Sequence, residues 1–440
     1  MGAGASADAM RERLIDRLNK DGRFKVVESA SAADVILRGM SSVWATGTLS
    51  FTPHSKAAKQ TIYEGYVSVE LVGKSNQTLW SYLVTPSRFR TVNITDDLAD
   101  HMASHLLSAL EGGAASLVSA ATALPRAQVT LHAAGATFPA PIYLKWFESS
   151  GMSVTYDAIG SEAGITQLAE SKVDFAASDM PLTAANSPAG LHVIHFPTVL
   201  GGVVPIYNLH SLGRPMRFTP EVLAGIYSGS IRKWNDPRIV EANRGARLPD
   251  ADIAVVHRSD GSGTTFIWTS FLSQTDAEWK ASVGAGTHVA WPKGIAAAGN
   301  EGVAELVQKM PNSIGYVELI YAIQHELNYG SVRNRAGEFI KADLASITAA
   351  ASSATASSGQ ELRFYILDSP GRDAYPISTF TWLLVPAQGL SAEKKSAIAE
   401  FLNWALTNGQ RQCESLGYAP LPHEIVSSEL HALSEWKNKE

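Results

Sequence analysis

One cysteine, Cys413, stands in a chain of 440 residues, and that scarcity excludes an internal disulfide framework and any multi-cysteine zinc or iron–sulfur site. Charge is sparse too: Asp, Glu, Lys and Arg supply 18% of the residues, against about 25% in an average globular chain. Basic residues are outnumbered, 36 against 42 acidic, for a formal net charge of −6. The basic surface that nucleic acid recruits is therefore missing. No apolar run approaches the ~18–20 residues needed to span a bilayer. Met1-Gly2-Ala3-Gly4-Ala5 lacks the basic and apolar stretches of an export signal. The 12 histidines form no H-E-x-x-H motif. His192 and His195 fall on opposite faces of a strand, and His101 and His105 share a helical face that reads more simply as a surface pair than as a metal site. No metal and no cofactor are expected.

What is present is the material for a large core: 45% hydrophobic residues, with 35 Gly and 20 Pro to make turns. The length predicts about two to four folding units. Residues 1–112 read as a small α+β domain. Met10, Leu14 and Leu18 recur at helical spacing up to Asp21-Gly22, a helix stop. Lys25–Glu28 and Ala33–Arg38 are strand candidates, and Ala45–Val84 alternates like antiparallel sheet, with Val67, Val69 and Leu71 on one face. Lys74–Gln77 fits a hairpin turn before Thr78–Val84. Thr95-Asp96-Asp97 opens a second helix carrying Leu98, Met102, Leu106 and Leu110. Residues 113–128, rich in small side chains and including Pro125, are a linker. Ala345–Gly359 reads as an amphipathic helix followed by a surface loop.

From Val129 to the end the pattern changes to α/β. Short apolar strands (Val129–Leu131, Val154–Tyr156, Ile253–Val256) alternate with helical segments, the layout of an open, mostly parallel sheet whose ligands sit at the carboxyl ends of its strands. Three strand-to-helix loops there suit an anion. Ala134–Pro141 offers small residues, helix-terminal amides and the Thr137 hydroxyl before helical Tyr143–Phe147. Ile159–Gly164 places Ser161 at an N-cap position before helical Ile165–Glu170. Val256–Thr265 is the strongest of the three. Gly261 and Gly263 permit converging amides, Ser262 and Thr264 add hydroxyls, and Arg258 adds a guanidinium fork that Asp260 can fix. Helical Phe266–Leu272 follows.

Asp179 ends the apolar strand Val173–Ser178 in the same half as the first two loops. Facing an anion, a carboxylate is repelled unless the anion carries a proton that it accepts. Hydrogen phosphate does and sulfate does not. A buried site that demands a donor rejects an analogue lacking it by roughly 10⁴–10⁵.

Seven segments carry a family resemblance: Ala134–Phe147, Val173–Leu182, Phe196–Asn208, Ile226–Ile239, Ile253–Leu272, Gly299–Val303 and Ser313–Glu318. Residues 129–440, about seven-tenths of the chain, resemble the periplasmic phosphate-binding proteins of the phosphate-specific ABC transporter. The resemblance implies a two-lobed α/β periplasmic-binding-protein fold of type II with hinge crossovers, preceded by the small α+β domain. Lobe I would span about 129–205 and 376–440, and lobe II about 206–375, with Gly201–Val204 and Pro376–Thr379 as the crossings. It also implies capture of inorganic phosphate by Thr137, the Phe138 amide, Ser161, Asp179, Arg258, Ser262, Gly263 and Thr264, with Asp260 supporting Arg258. An ABC permease would receive the ion. The protein would then be periplasmic or at the cell surface, its export signal removed. The family commonly reads Ser-Ser-Gly-Gly where this chain has Ser161-Glu162-Ala163-Gly164, and Glu162 is expected to point into solvent. Nothing before Val129 resembles that family, and an envelope partner is the expectation for that domain.

Two other classes compete. A hydrolase using Ser262 with His257 and Asp260 lacks the G-x-S-x-G elbow, and His257 should face away from Arg258 on a strand. A binding protein for another tetrahedral oxyanion would share every loop but not the use of Asp179.

Overall fold

The computed structural model describes residues 3–22, 25–27, 29–49, 60–74, 77–86, 94–111, 129–209, 212, 214–355 and 366–438. The whole of the expected linker, residues 113–128, lies outside them, as do residues 356–359 of the expected Ala345–Gly359 helix and loop. The chain divides into two compact units. The first comprises Met1–Thr122 with His210–Arg214 and Arg411–Gly417, and the second Ala123–Leu209, Pro215–Gln410 and Tyr418–Glu440.

In the first unit helices Ala3–Asp21 and Ile94–Glu111 pack on an antiparallel sheet of β1 (Val35–Leu49), β2 (Gln60–Gly73) and β3 (Thr78–Val84). Strand alternation sets its two faces. Val67 and Val69 point to the helices and join Met10, Leu14, Leu98 and Met102 in the core. The intervening Ser68 and Glu70 face the other way, onto Arg411–Gly417. There the Ser68 hydroxyl donates to the Ser415 carbonyl at 2.6 Å, and the Ser415 hydroxyl donates to Glu70 Oε1 at 3.1 Å. This unit is therefore not contiguous in sequence. Lys25–Val27 form no strand: Val26 and Val27 are exposed. The first strand begins instead at Val35 and runs through Ala45, so the expected sheet region is two long strands. Residues 75–76 of the hairpin lie outside the described set.

The second unit is built on β4 (Leu131–Gly135), β5 (Val154–Asp157), β6 (Phe175–Ser178), β7 (Val193–Tyr207), β8 (Arg217–Phe218), β9 (Ala254–Arg258), β10 (Ile295–Ala297), β11 (Ser313–Glu318), β12 (Asn328–Tyr329), β13 (Ser331–Arg333), β14 (Phe339–Ile340) and β15 (Ser378–Pro386). A nine-stranded sheet runs in the order β10-β9-β11-β7-β15-β6-β4-β5, with β12 paired to β7, and β14-β13-β8 form a small separate sheet. The large sheet is mixed rather than mostly parallel. Strands β4, β5 and β6 are parallel, as are β9, β10 and β11, but β15 and β7 join the two sets by antiparallel pairing. The reason is that β7 serves both sets: it pairs β15 through Gly202 and β11 from Val203 onward. One continuous strand thus carries the chain from one half to the other, and Val203 N–H donates to the Ile377 carbonyl beside it at 2.9 Å.

Buried aromatics fix the helices on each half. Phe147 and Phe175 meet Phe401 with centroids at 5.0 and 6.3 Å. In the other half Trp268 stacks on Tyr316 of β11 at 5.0 Å. Both are fully buried, so truncating either to alanine removes packing worth about 3–5 kcal/mol. Ligand loops should lie beyond the carboxyl ends of the two parallel sets.

Candidate functional site

Those strand ends deliver the residues singled out above. Gly135 closes β4 and leads through Thr137 and Phe138 into helix Ala140–Ser150. The Thr137 carbonyl accepts from the Tyr321 hydroxyl and the Phe138 carbonyl from the Tyr418 hydroxyl, both at 2.6 Å. In a trans peptide the N–H opposes the C=O, so holding the Thr137 carbonyl on Tyr321 turns the Phe138 amide the other way. The Phe138 ring is fully buried and contributes packing only.

Ser161 is the first residue of helix Ser161–Ala169 and not its N-cap, which is Gly160. Gly160 holds φ +99°, open to glycine at little cost, and a Cβ there would lie 2.6 Å from Asp260 Oδ2. The fully buried Ser161 hydroxyl meets the amide of Asp179, which approaches it at 3.4 Å. Glu162 is exposed, yet it is not simply turned to solvent. Its amide donates to the Gly261 carbonyl at 3.1 Å, and its Oε2 accepts from the Thr287 hydroxyl at 2.8 Å. Both partners follow β9, so Glu162 links the two halves.

Asp179 lies just past β6 and is 1% exposed. Its Oδ1 accepts from the Thr381 hydroxyl of β15 at 2.7 Å, and its Oδ2 has no hydrogen-bond partner among the described residues. Burial pushes the carboxyl up to about 7, against the Thr381 hydrogen bond and the Arg258 charge.

Arg258 ends β9 and is 3% exposed. Asp260 takes its Nε at 2.8 Å and its Nη2 as well, while Nη1 has no partner among the described residues. Burial would raise the Asp260 carboxyl, but the Arg258 hydrogen bond and charge, with the Gly299 amide, hold it below the usual range. Ser262 N-caps helix Gly263–Thr275, its Oγ accepting from the Thr265 amide at 3.0 Å, which leaves its own proton to be donated elsewhere. The amides of Gly263 and Thr264 in that first turn have no acceptor within the helix. A Cβ on Gly263 would collide with the Ser161 hydroxyl and the Asp179 carboxylate. The two walls therefore meet at this residue with no room for a side chain.

His257 is turned away, stacked on Trp291 at 4.9 Å with Nδ1 3.0 Å from the Arg258 carbonyl. The expected site residues of the three loops thus converge with Asp179, while His257 does not join them. Four further residues bear on the site that no motif assigned a role: Thr381, Tyr321, Tyr418 and Asn300. Asn300 sits in the Gly299–Val303 segment, but nothing local distinguished it from a helix-opening polar residue.

Two parallel sheet halves bridged by crossing strands, with anion-competent loops from both meeting in one cleft, define a two-lobed solute-binding protein. Residues 120–408 match the family model described as the PBP superfamily domain. The phosphate-binding protein PstS of Xylella fastidiosa is 42% identical over 317 residues, covering 70% of this chain and 86% of that protein. PstS of Pasteurella multocida is 40% identical over 315 residues, covering 70% and 90%. The solved high-affinity periplasmic phosphate-binding protein PfluDING, bound with phosphate, matches the fold with a TM-score of 0.54 at 20% identity, over 68% of this chain and 92% of that one. The chain belongs to the PBP superfamily and, within it, to the family of the PstS phosphate-binding proteins.

Proposed function

We propose that the chain captures inorganic phosphate by closure of its two lobes and delivers it to an ABC permease from an extracytoplasmic location. One observation carries the reading: Asp179 Oδ2 and Arg258 Nη1, an acceptor and a donor, are both buried and both lack a partner among the described residues. Leaving such groups unsatisfied is costly, and a tetrahedral oxyanion that accepts from the guanidinium and donates one proton to the carboxylate satisfies both. Thr137, the Phe138 amide, Ser161, Ser262, Gly263 and Thr264 are the remaining phosphate contacts in this reading. Asp260 holds Arg258 in place. Since the contacts come from both lobes, phosphate stabilises the closed state over the open one, which is what closure on binding requires.

This is a binding role rather than an enzymatic one. A nucleophilic Ser262 would need a base within hydrogen-bond reach, and His257, five residues before it, is stacked on Trp291 instead. The N-terminal unit is read as a docking module for a partner in the cell envelope. Its edge strand β1 exposes Ile36 and Met40, at 40% and 61%. Pull-downs with the paired change Ile36→Lys, Met40→Lys should lose that partner.

Equilibrium dialysis with radiolabelled phosphate tests the main reading. One saturable equivalent per chain, displaced by arsenate, is expected. Absence of saturable binding, or binding by a fragment that lacks either lobe, would overturn it.

A further inference from the structure

Asn300 is fully buried in the first turn of helix Gly299–Lys309, and its hydrogen bonds leave it one orientation. Its Oδ1 lies 3.0 Å from the main-chain nitrogen of Glu318, which can only donate. The other end of the amide, Nδ2, is therefore the donor that faces two threonines. It lies 2.9 Å from Thr137 Oγ1 and 3.2 Å from Thr264 Oγ1, and the Asn300 main-chain N–H reaches Thr137 Oγ1 at 3.3 Å. Amide nitrogens accept no hydrogen bonds, so both hydroxyls are acceptors toward Asn300. Each must then direct its own proton somewhere else.

We propose that Asn300 is a positioning residue that forces Thr137 and Thr264, one from each half of the cleft, to act as donors to the bound oxyanion. A hydroxyl left to rotate presents a lone pair to an anion in some orientations, and that is repulsive. Two hydroxyls oriented by a single amide lose that freedom in the closed state. The arrangement is complete only when Thr137 and Thr264 approach the same side chain, so the donors are set by closure itself. The inference rests on the proposed function, because it needs an anionic acceptor in the cleft.

The test is a double-mutant cycle read by isothermal titration with phosphate. Asn300→Ala, and Asn300→Leu as a near-isostere in case the smaller residue unfolds, are each measured in three backgrounds: wild type, Thr137→Val with Thr264→Val, and Thr137→Ser with Thr264→Ser. In wild type, loss of Asn300 should weaken phosphate binding by about 10–100-fold. In the valine background the same change should cost less than about threefold, and in the serine background the full penalty should return. An equal penalty in all three backgrounds would mean that Asn300 only packs the helix, and would overturn the inference while leaving phosphate capture intact. If wild type binds sulfate or arsenate but not phosphate, the proposed function fails, and the same cycle run with the anion that binds still decides the role of Asn300. Wild type that binds none of the three overturns both.

Discussion

Asp179 and Asp260 follow strands β6 and β9 on opposite walls of one cleft, and the Arg258 charge acts on both. Their states differ. Asp260 chelates the guanidinium through two nitrogens and accepts the Gly299 amide at 3.0 Å, so it stays ionised. Asp179 receives one hydroxyl, is more deeply buried, and is pushed up to about 7. The difference separates two jobs within one site. Arg258 is already neutralised by Asp260, so the charge of a bound anion is met mostly by hydroxyls and by amides at helix N-termini. In the proposed reading Asp179 adds little attraction and instead senses whether the guest carries hydrogen.

The contrast can be attacked from either wall. Arg258→Ala leaves the half-buried Asp260 without its partner and removes the orphaned Nη1 donor of the buried Arg258. Phosphate affinity should fall by on the order of 10²–10³, as for other truncated buried pairs. Ser161→Ala removes one neutral hydroxyl and should cost about tenfold. Calorimetry that reversed this order would show that the Arg258–Asp260 pair contributes less to anion binding than the Ser161 hydroxyl. Asp179→Asn should retain phosphate binding but lower the preference for phosphate over sulfate by at least about 100-fold, out of the roughly 10⁴ that a demanded donor can supply. Unchanged discrimination would remove Asp179 from selectivity.

The raised Asp179 carboxyl also gives a signed pH effect. Below about 7 the carboxyl, buried in the closed cleft, is protonated and can donate to sulfate, whereas above about 7 it is a carboxylate that repels it. Sulfate affinity should therefore rise about tenfold as pH falls from 8 to 6, and Asp179→Asn should flatten that profile. A wild-type profile already flat over this range would contradict the assignment. The smallest effect belongs to Glu162. Its bond to Thr287 is exposed, so Glu162→Ala should weaken phosphate binding by only about threefold, read as a faster dissociation rate in stopped-flow fluorescence.

Much of this site could be read from the chain because its chemistry is local. Arg258, Asp260, Ser262 and Thr264 lie within seven residues at one strand-to-helix junction, and Thr137 and Ser161 occupy two further junctions of that kind. Asp179 stood out as a carboxylate ending an apolar strand. Thr381, Tyr321, Tyr418 and Asn300 had no such signal. Their partners lie more than 30 residues away, and a buried hydroxyl or amide looks in sequence like any other until the fold brings its partner near. The mixed sheet was hidden for a similar reason. The resemblance places crossings at Gly201–Val204 and Pro376–Thr379, but the direction of β7 and β15 relative to β6 and β11 depends on long-range pairing. The placement of Arg411–Gly417 with the first unit rests on hydrogen bonds such as Ser415 to Glu70, between residues 345 positions apart.

Titrating wild-type protein with phosphate and with sulfate side by side at pH 8.5 tests the central claim most directly, because Asp179 is then ionised and neither anion can borrow its proton. Saturable binding of phosphate with sulfate undetectable is the predicted result. Comparable binding of the two anions would show that no carboxylate in the cleft requires a protonated guest.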